Sequence, residues 1–395
     1  MNAIRVRDAH GGLAAFVHPV PVSEFTEEHW RRTPLFSHRN ERDYFAALPR
    51  LADLDLLLAT SLHSSVHNRG KLVRSGRDGG YAEEPFRLRA DGRLDLHHVF
   101  DRYAGGFTVV TNLIELASLP AARLCAALER DTGFRVSVNA YLTPPRSQGF
   151  GAHFDSHDVF VVQVDGHKSW RVATEPDPSS APGIATAADF RSFRDVTLRP
   201  GDSLYIPRGH AHSAHTEELS SLHYTFGLSA PTWGQIVAES VESRLQGATS
   251  FSEFAPLISD PAARGSSLGA LPDPVDAMPT REDLIACQEA LRFDLLDRHL
   301  SYSGQFVNID ACERLSDISV LERVDNWPIS VCRHHSTTQL RLAGRVVEFD
   351  TVSPALDFVA AHPRFAVSEV PGNLAENLHI CRRLVVEGVL AVQQP

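Results

Sequence analysis

The sequence predicts a mainly β core with α additions, its strands closed into an antiparallel barrel or double-stranded β-helix rather than a parallel α/β sheet. Three observations predict this. Short strand-like runs recur between Thr108 and Leu228, each broken by Gly or Pro turns. His153 and Asp155 share one strand face, and a cluster of histidines follows about 60 residues later, which suits strands facing one another across an interior. After Pro231 the composition turns helical in period, so the β core ends there.

Taken in order, residues 23–35 (SEFTEEHWRRTPL) read as a short helix. Ser23 is its cap, Phe25 and Trp30 its packing face, and Thr33-Pro34 its stop. Residues 41–62 continue as helix. The polar stretch 64–93, with turns at Gly70, Gly76, Gly79 and Asp91-Gly92, reads as a long loop beside a cleft mouth. A β-branched strand from Thr108 to Leu113 precedes a helix at about 117–131. Strands follow at Asn139 and Tyr141, at His153, from Phe160 to Val164, at Lys168, at 203–206 and at 222–228. Helices at 233–246 and 281–300 flank a Pro/Ala/Gly/Ser-rich connection at 255–279. The tail, from about 305, places two β-rich pieces, among them 338–349, around helices at 353–362 and 373–388. The domains expected are 1–232, 233–304 and 305–395.

Composition narrows the function. The chain has 395 residues, 43% of them apolar, enough for two or three cores. Its 49 acidic against 38 basic residues give a net charge of −11, which argues against general binding of nucleic-acid phosphates and suits a basic protein or peptide partner. The stretch MNAIRVRDAHGG has no apolar signal-like region, and no run is apolar enough to span a membrane, so a cytoplasmic protein is expected. Five scattered cysteines without a CxxC pair fit reduced thiols.

The chemistry concentrates in 139–172. Side chains two apart on a strand point the same way, so His153 and Asp155 can reach one ion. A histidine and a carboxylate are two of the three ligands of the facial triad that holds non-haem iron(II). Alone, His-x-Asp is more often two polar residues on a wet strand face. A third ligand is available downstream, where a Pro-Gly-Asp turn, the 203–206 strand and a second turn at Pro207 to Gly209 lead to His210, His212 and His215. Spacing leaves open which of these arrives.

The HFD at 153–155, SWRV at 169–172 and PGDSLYIPRGHAH at 200–212 resemble the JmjC-type iron(II)/2-oxoglutarate oxygenases of cupin-like fold, and in particular the ribosomal oxygenase branch. The resemblance implies His212 as third ligand, with His210 behind it or lining the pocket. It implies Lys168, fifteen residues after His153, as partner of the distal carboxylate of 2-oxoglutarate, an assignment that strand parity with Trp170 and Val172 supports. Asn139, Tyr141 and Thr225 would help hold the co-substrate. His157 and His167 are expected to be surface or turn residues, with pocket lining as the lesser reading for His157.

The same resemblance implies iron(II), 2-oxoglutarate and oxygen as cofactor and co-substrates. The activity expected is hydroxylation of a histidine or arginine side chain in a ribosomal protein. Alternatives are the same chemistry on a small molecule or biosynthetic peptide, and a non-catalytic cupin-like ligand sensor. Nothing shows the aromatic cage that methyl-ammonium recognition needs. The resemblance further implies a helical dimerisation module, hence a homodimer, and a C-terminal winged-helix domain. Its last helix offers Arg382 and Arg383 against Glu376 and Glu387, which suits a structural or protein-binding role better than DNA reading.

Overall fold

The structure is a computed structural model that describes residues 11–61, 70–76, 80–176, 183–185, 187–247, 278–295, 304–324, 329–334, 337–342 and 345–393. It divides into two compact units, 1–229 and 230–395. The N-terminal stretch 1–10 and the connection through residue 277 lie outside the described residues.

In the first unit the strands are β1 (Leu35–Ser37), β2 (Gly70–Ser75), β3 (Tyr81–Pro85), β4 (Thr108–Thr111), β5 (Arg135–Thr143), β6 (His153–Phe154), β7 (Asp158–Gly166), β8 (Lys168–Pro176), β9 (Gly183–Ile184), β10 (Phe193–Leu198), β11 (Ser203–Ile206), β12 (His210–His215) and β13 (Ser221–Ser229). Eight form one antiparallel sheet in the order β1-β11-β7-β13-β5-β4-β2-β3, and five form a second in the order β10-β8-β12-β6-β9. Strands adjacent in sequence, such as β7 and β8, fall in different sheets, which is the double-stranded β-helix expected.

β7 shows why the layers hold. Its sequence DVFVVQVDG is almost continuously apolar because both faces are covered. Phe160, Val162 and Val164 join the main core with Phe16, Phe25, Tyr205 and Phe226, while Val159 and Val161 pack with Trp170, Val172 and Leu204. Two turns need glycine. Gly166 (φ 64°) and Gly201 (φ 95°) are left-handed, and a Cβ on either would stand 1.7 Å from the Ser220 carbonyl oxygen or 2.1 Å from that of Glu41. Beside Gly201, the buried Asp202 carboxylate accepts the backbone N–H groups of Arg39 (2.7 Å) and Arg199 (2.9 Å). The helix Leu119–Thr132 starts at Ser118 and ends at the left-handed Gly133, close to the expected limits. Buried Glu129 and Glu115 then accept the N–H groups of Val136 and Val138, anchoring β5 where it enters the site.

Several expectations are corrected. Ser23 is not a cap: it lies inside the turn Val22–Glu24, which continues as a wider turn over Phe25–His29. Phe25 is nevertheless fully buried and meets Trp30 edge-on at 5.9 Å. The helix expected over 41–62 spans only Leu51–Ser61, because Pro49 interrupts it. The stretch expected to be a loop contains the β2–β3 hairpin, which extends the large sheet and ends it in the polar edge strand β3. Residues 96–104, left unassigned, form a helix capped by Asp95. The histidines at 210–215 form a strand of their own, β12, which the sequence reading did not assign.

In the second unit, helices Trp233–Gly247 and Arg281–Leu295 are joined by Arg244–Asp283 at 2.7 Å. The part of the second helix expected beyond Leu295 lies outside the described residues. Next come a helix Gln305–Cys312 and the strands β14 (Val320–Arg323), β15 (Ser330–His334), β16 (Thr337–Leu342) and β17 (Arg345–Phe349). A helix Pro354–Ala361, β18 (Arg364–Ala366), a helix Leu374–Val386 and β19 (Leu390–Val392) complete the chain. Two three-stranded sheets, β18-β14-β19 and β15-β16-β17, cover a separate core around Leu321, Leu340, Leu356, Ile380 and Leu384. The five cysteines are free, and Cys125, Cys312 and Cys381 are buried. Among the described residues no helix is long and apolar enough to cross a membrane.

Candidate active site

Between the two sheets of the first unit lies a cavity of about 380 Å³. Strand alternation decides what lines it. β5 contributes Ser137, Asn139 and Tyr141, β8 contributes Lys168 and Trp170, and β13 contributes His223, Thr225 and Gly227, every second residue in each case. Register places Thr225 opposite Asn139 and His223 opposite Tyr141.

β12 pairs with β6 through a single opposed couple, His212 and His153. Their rings lie 4.3 Å apart, and His212 Nε2 stands 3.7 Å from Asp155 Oδ2. One donor atom from each of His153, Asp155 and His212 fits within 4.8 Å of the others, and among the described residues this is the group of three able to hold a metal ion. The imidazoles are already oriented. His153 Nδ1 donates to the Gly151 carbonyl at 2.9 Å and His212 Nδ1 to the His210 carbonyl at 3.0 Å, which leaves both Nε2 lone pairs free to ligate. Burial, followed by the His153 charge, pulls His212 down to about 4, so it is neutral at physiological pH as a ligand must be. Two imidazole nitrogens and one carboxylate are a donor set that would suit iron(II).

Lys168 is buried in the same cavity, and its Nζ donates to Thr143 Oγ1 at 2.8 Å. Burial lowers its pKa from 10.5 to about 7. Around it, His223 stacks face to face on Tyr141 at 4.9 Å and meets Trp170 edge-on at 5.4 Å. Burial first, then the Lys168 charge, holds His223 well below its ordinary pKa. Burial, then the Asp155 charge, raises Tyr141 to about 12, so its hydroxyl stays protonated. The Asn139 carbonyl oxygen accepts the Leu113 N–H at 3.2 Å, which fixes that amide at the cavity edge.

All seven residues expected in the site, namely His153, Asp155, His212, Lys168, Asn139, Tyr141 and Thr225, line this one cavity. His210 does not. Its ring is buried beneath the Pro207 turn, where Nδ1 donates to the Pro207 carbonyl at 3.2 Å, and it is the backbone carbonyl that serves His212. His167 is exposed as expected, and His157, half-buried in a bend, lines the cavity, the second of the two readings it allowed. Thr143 and His223 were missed by sequence reasoning. The alternation that selects Asn139 and Tyr141 extends to Thr143, and the one that selects Thr225 extends back to His223.

This fold and site agree with a match to a known domain: residues 113–236 match the JmjC domain family model. More particularly, the chain is similar to ribosomal oxygenase 1 of Gallus gallus, 31% identical over 238 residues that cover 58% of this chain and 39% of that one. It is similar also to the bifunctional lysine-specific demethylase and histidyl-hydroxylase NO66 of Drosophila persimilis, 30% identical over 59% of this chain and 35% of the relative. The chain thus spans well under half the length of these relatives. Among solved structures it resembles the Escherichia coli ribosomal oxygenase YcfD in complex with cobalt and 2-oxoglutarate. That match has a TM-score of 0.51 and 19% identity, and covers 95% of this chain and 99% of that one.

Proposed function

We propose that this protein is an iron(II)- and 2-oxoglutarate-dependent oxygenase that hydroxylates a side chain of a basic protein, of the ribosomal-protein kind that the relatives' names indicate. One observation carries the reading: a His-Asp-His donor set and a buried, otherwise uncompensated lysine share a single cavity. A deep cation with no anionic partner is costly unless an anion arrives. A dicarboxylate chelating the ion from one end and meeting Lys168 with the other satisfies both groups.

His153, Asp155 and His212 would hold the metal, with their Nδ1 hydrogen bonds setting the imidazole orientation. Lys168, supported by Thr143, would neutralise the distal carboxylate, while Tyr141, Asn139 and Thr225 supply hydroxyl and amide contacts along the co-substrate. Trp170, Val159 and Val161 exclude water from the space between. When bound, iron(II), 2-oxoglutarate and oxygen supply the oxidant for C–H hydroxylation and release succinate and carbon dioxide. The chain's own contribution is position: it closes one end of the cavity with Lys168 and leaves the other to the target.

In the same reading the helices at 233–247 and 281–295 belong to a dimerisation module within 233–304. Residues 305–395 then form a winged-helix-like domain of structural or protein-binding role. The test is succinate release by the purified chain with iron(II), ascorbate and 2-oxoglutarate, with and without ribosomal proteins. Release stimulated by the proteins and abolished in Asp155→Ala is expected. Release indifferent to protein would point to a small substrate, and none at all would sink the oxygenase reading.

A further inference from the structure

β13 carries a glycine in its interior, where glycine weakens a strand. Gly227 is not among the glycines of positive φ, and it pairs in regular register with Ser137 and Val159. Its backbone conformation therefore does not require glycine. The requirement is steric: a Cβ here would stand 2.8 Å from Nε2 and 2.9 Å from Cδ2 of His157. Gly227 is the seat of the His157 ring, and both line the cavity.

The position of that seat indicates its use. Ser137 faces Gly227 and Thr143 faces Ser221 across the β5–β13 pair. The six residue steps from Ser137 to Thr143 separate the His157 seat from the Lys168–Thr143 contact by roughly 20 Å along the strand. Lys168 closes one end of the cavity, so His157 stands at the other, with Asp155 two residues before it in the chain. Among the described residues none hydrogen-bonds the His157 ring, and Asp155 is the one carboxylate among the cavity residues. The His157 end thus offers a hydrogen-bonding ring without a spare anionic partner.

We propose that His157, held in the notch of Gly227, is a specificity-determining contact to the target, hydrogen-bonding an uncharged group such as a peptide amide or an imidazole nitrogen. The inference rests on the oxygenase reading above and deepens it by assigning the target's end of the cavity.

The experiment uses the full chain with two measurements. Binding of manganese(II) and of 2-oxoglutarate is followed by calorimetry. The concentration of protein extracted from purified ribosomes that half-saturates succinate release is measured alongside. His157→Ala should bind metal and 2-oxoglutarate as the wild type does, which also shows that it is folded, while the half-saturating concentration rises about tenfold, the worth of one hydrogen bond. Gly227→Ala should raise it similarly by displacing the ring, and the double variant should be no worse than either single one, since both remove the same contact. His157→Asn, which keeps a donor and an acceptor, should recover part of the loss. An unchanged half-saturating concentration in His157→Ala, or additive effects in the double variant, would overturn the assignment. Loss of metal in His157→Ala would overturn it by making His157 part of the metal site. If the wild type binds both ligands but no ribosomal protein stimulates it, the protein-target reading falls and takes this inference with it.

Discussion

In the proposed reading, the Lys168 ammonium should make 2-oxoglutarate binding a proton-linked event. In the open cavity burial holds its pKa near 7, down from 10.5. A bound carboxylate favours the charged form and raises that value again. Affinity is therefore fully present below pH 7 and is lost as the pH rises through 7, where the free lysine gives up its proton. Each pH unit beyond the pKa costs a factor of ten, so the dissociation constant should rise about tenfold between pH 6 and pH 8. At pH 8 binding should take up about 0.9 proton, against about 0.1 at pH 6. The assay is calorimetry of 2-oxoglutarate binding at saturating manganese(II), repeated in buffers of different ionisation enthalpy to count the protons. Lys168→Met, similar in volume and uncharged, should bind weakly with a flat profile. A flat profile in the wild type, or the same slope in Lys168→Met, would refute the reasoning.

Three further predictions concern neighbouring residues. Asp155→Ala removes the only carboxylate of the donor set and should weaken manganese(II) binding by more than the roughly 10–100-fold that loss of an outer-shell partner costs; calorimetric titration reads it, and wild-type affinity would dismiss Asp155 as a ligand. Thr143→Val deletes the hydroxyl that accepts from Lys168 Nζ at 2.8 Å. It should weaken 2-oxoglutarate binding about five- to tenfold and shift the break in the pH profile downward, because the charged lysine loses its acceptor; an unmoved break would show that the contact does not act on Lys168. Gly201→Ala forces a left-handed residue against the Glu41 carbonyl and should destabilise the first unit by about 2–3 kcal/mol, seen as a lower urea midpoint, whereas an unaltered midpoint would mean that the turn relaxes at little cost.

The chain's own letters carried a good deal of this. Period-two alternation, Pro-Gly-Asp and Asp-Gly turns and the i, i+2 spacing of His153 and Asp155 are local facts, and local facts survive folding. That is why the barrel strands, the 119–132 helix and the faces of Asn139, Tyr141 and Lys168 were legible. Two kinds of feature were not legible in local sequence. A polar edge strand such as β3 carries little hydrophobic signal, because it is held by pairing with β2 and not by its own burial. And a choice between sequence neighbours of one residue type is not a local fact. His210 and His212 lie on one strand with the same parity, yet a register shift in the β12–β8 pairing separates them. His212 is set opposite His153 and open to the cavity, while His210 is sealed under a turn. For His157, its own neighbours favour a surface or turn residue over a pocket-lining one. What brings it inside is the missing side chain of Gly227, seventy positions away and visible only once β7 and β13 are paired. Alternation determines which way a side chain points along its strand; pairing across the sheets determines what it meets, because that depends on register between segments distant in the chain.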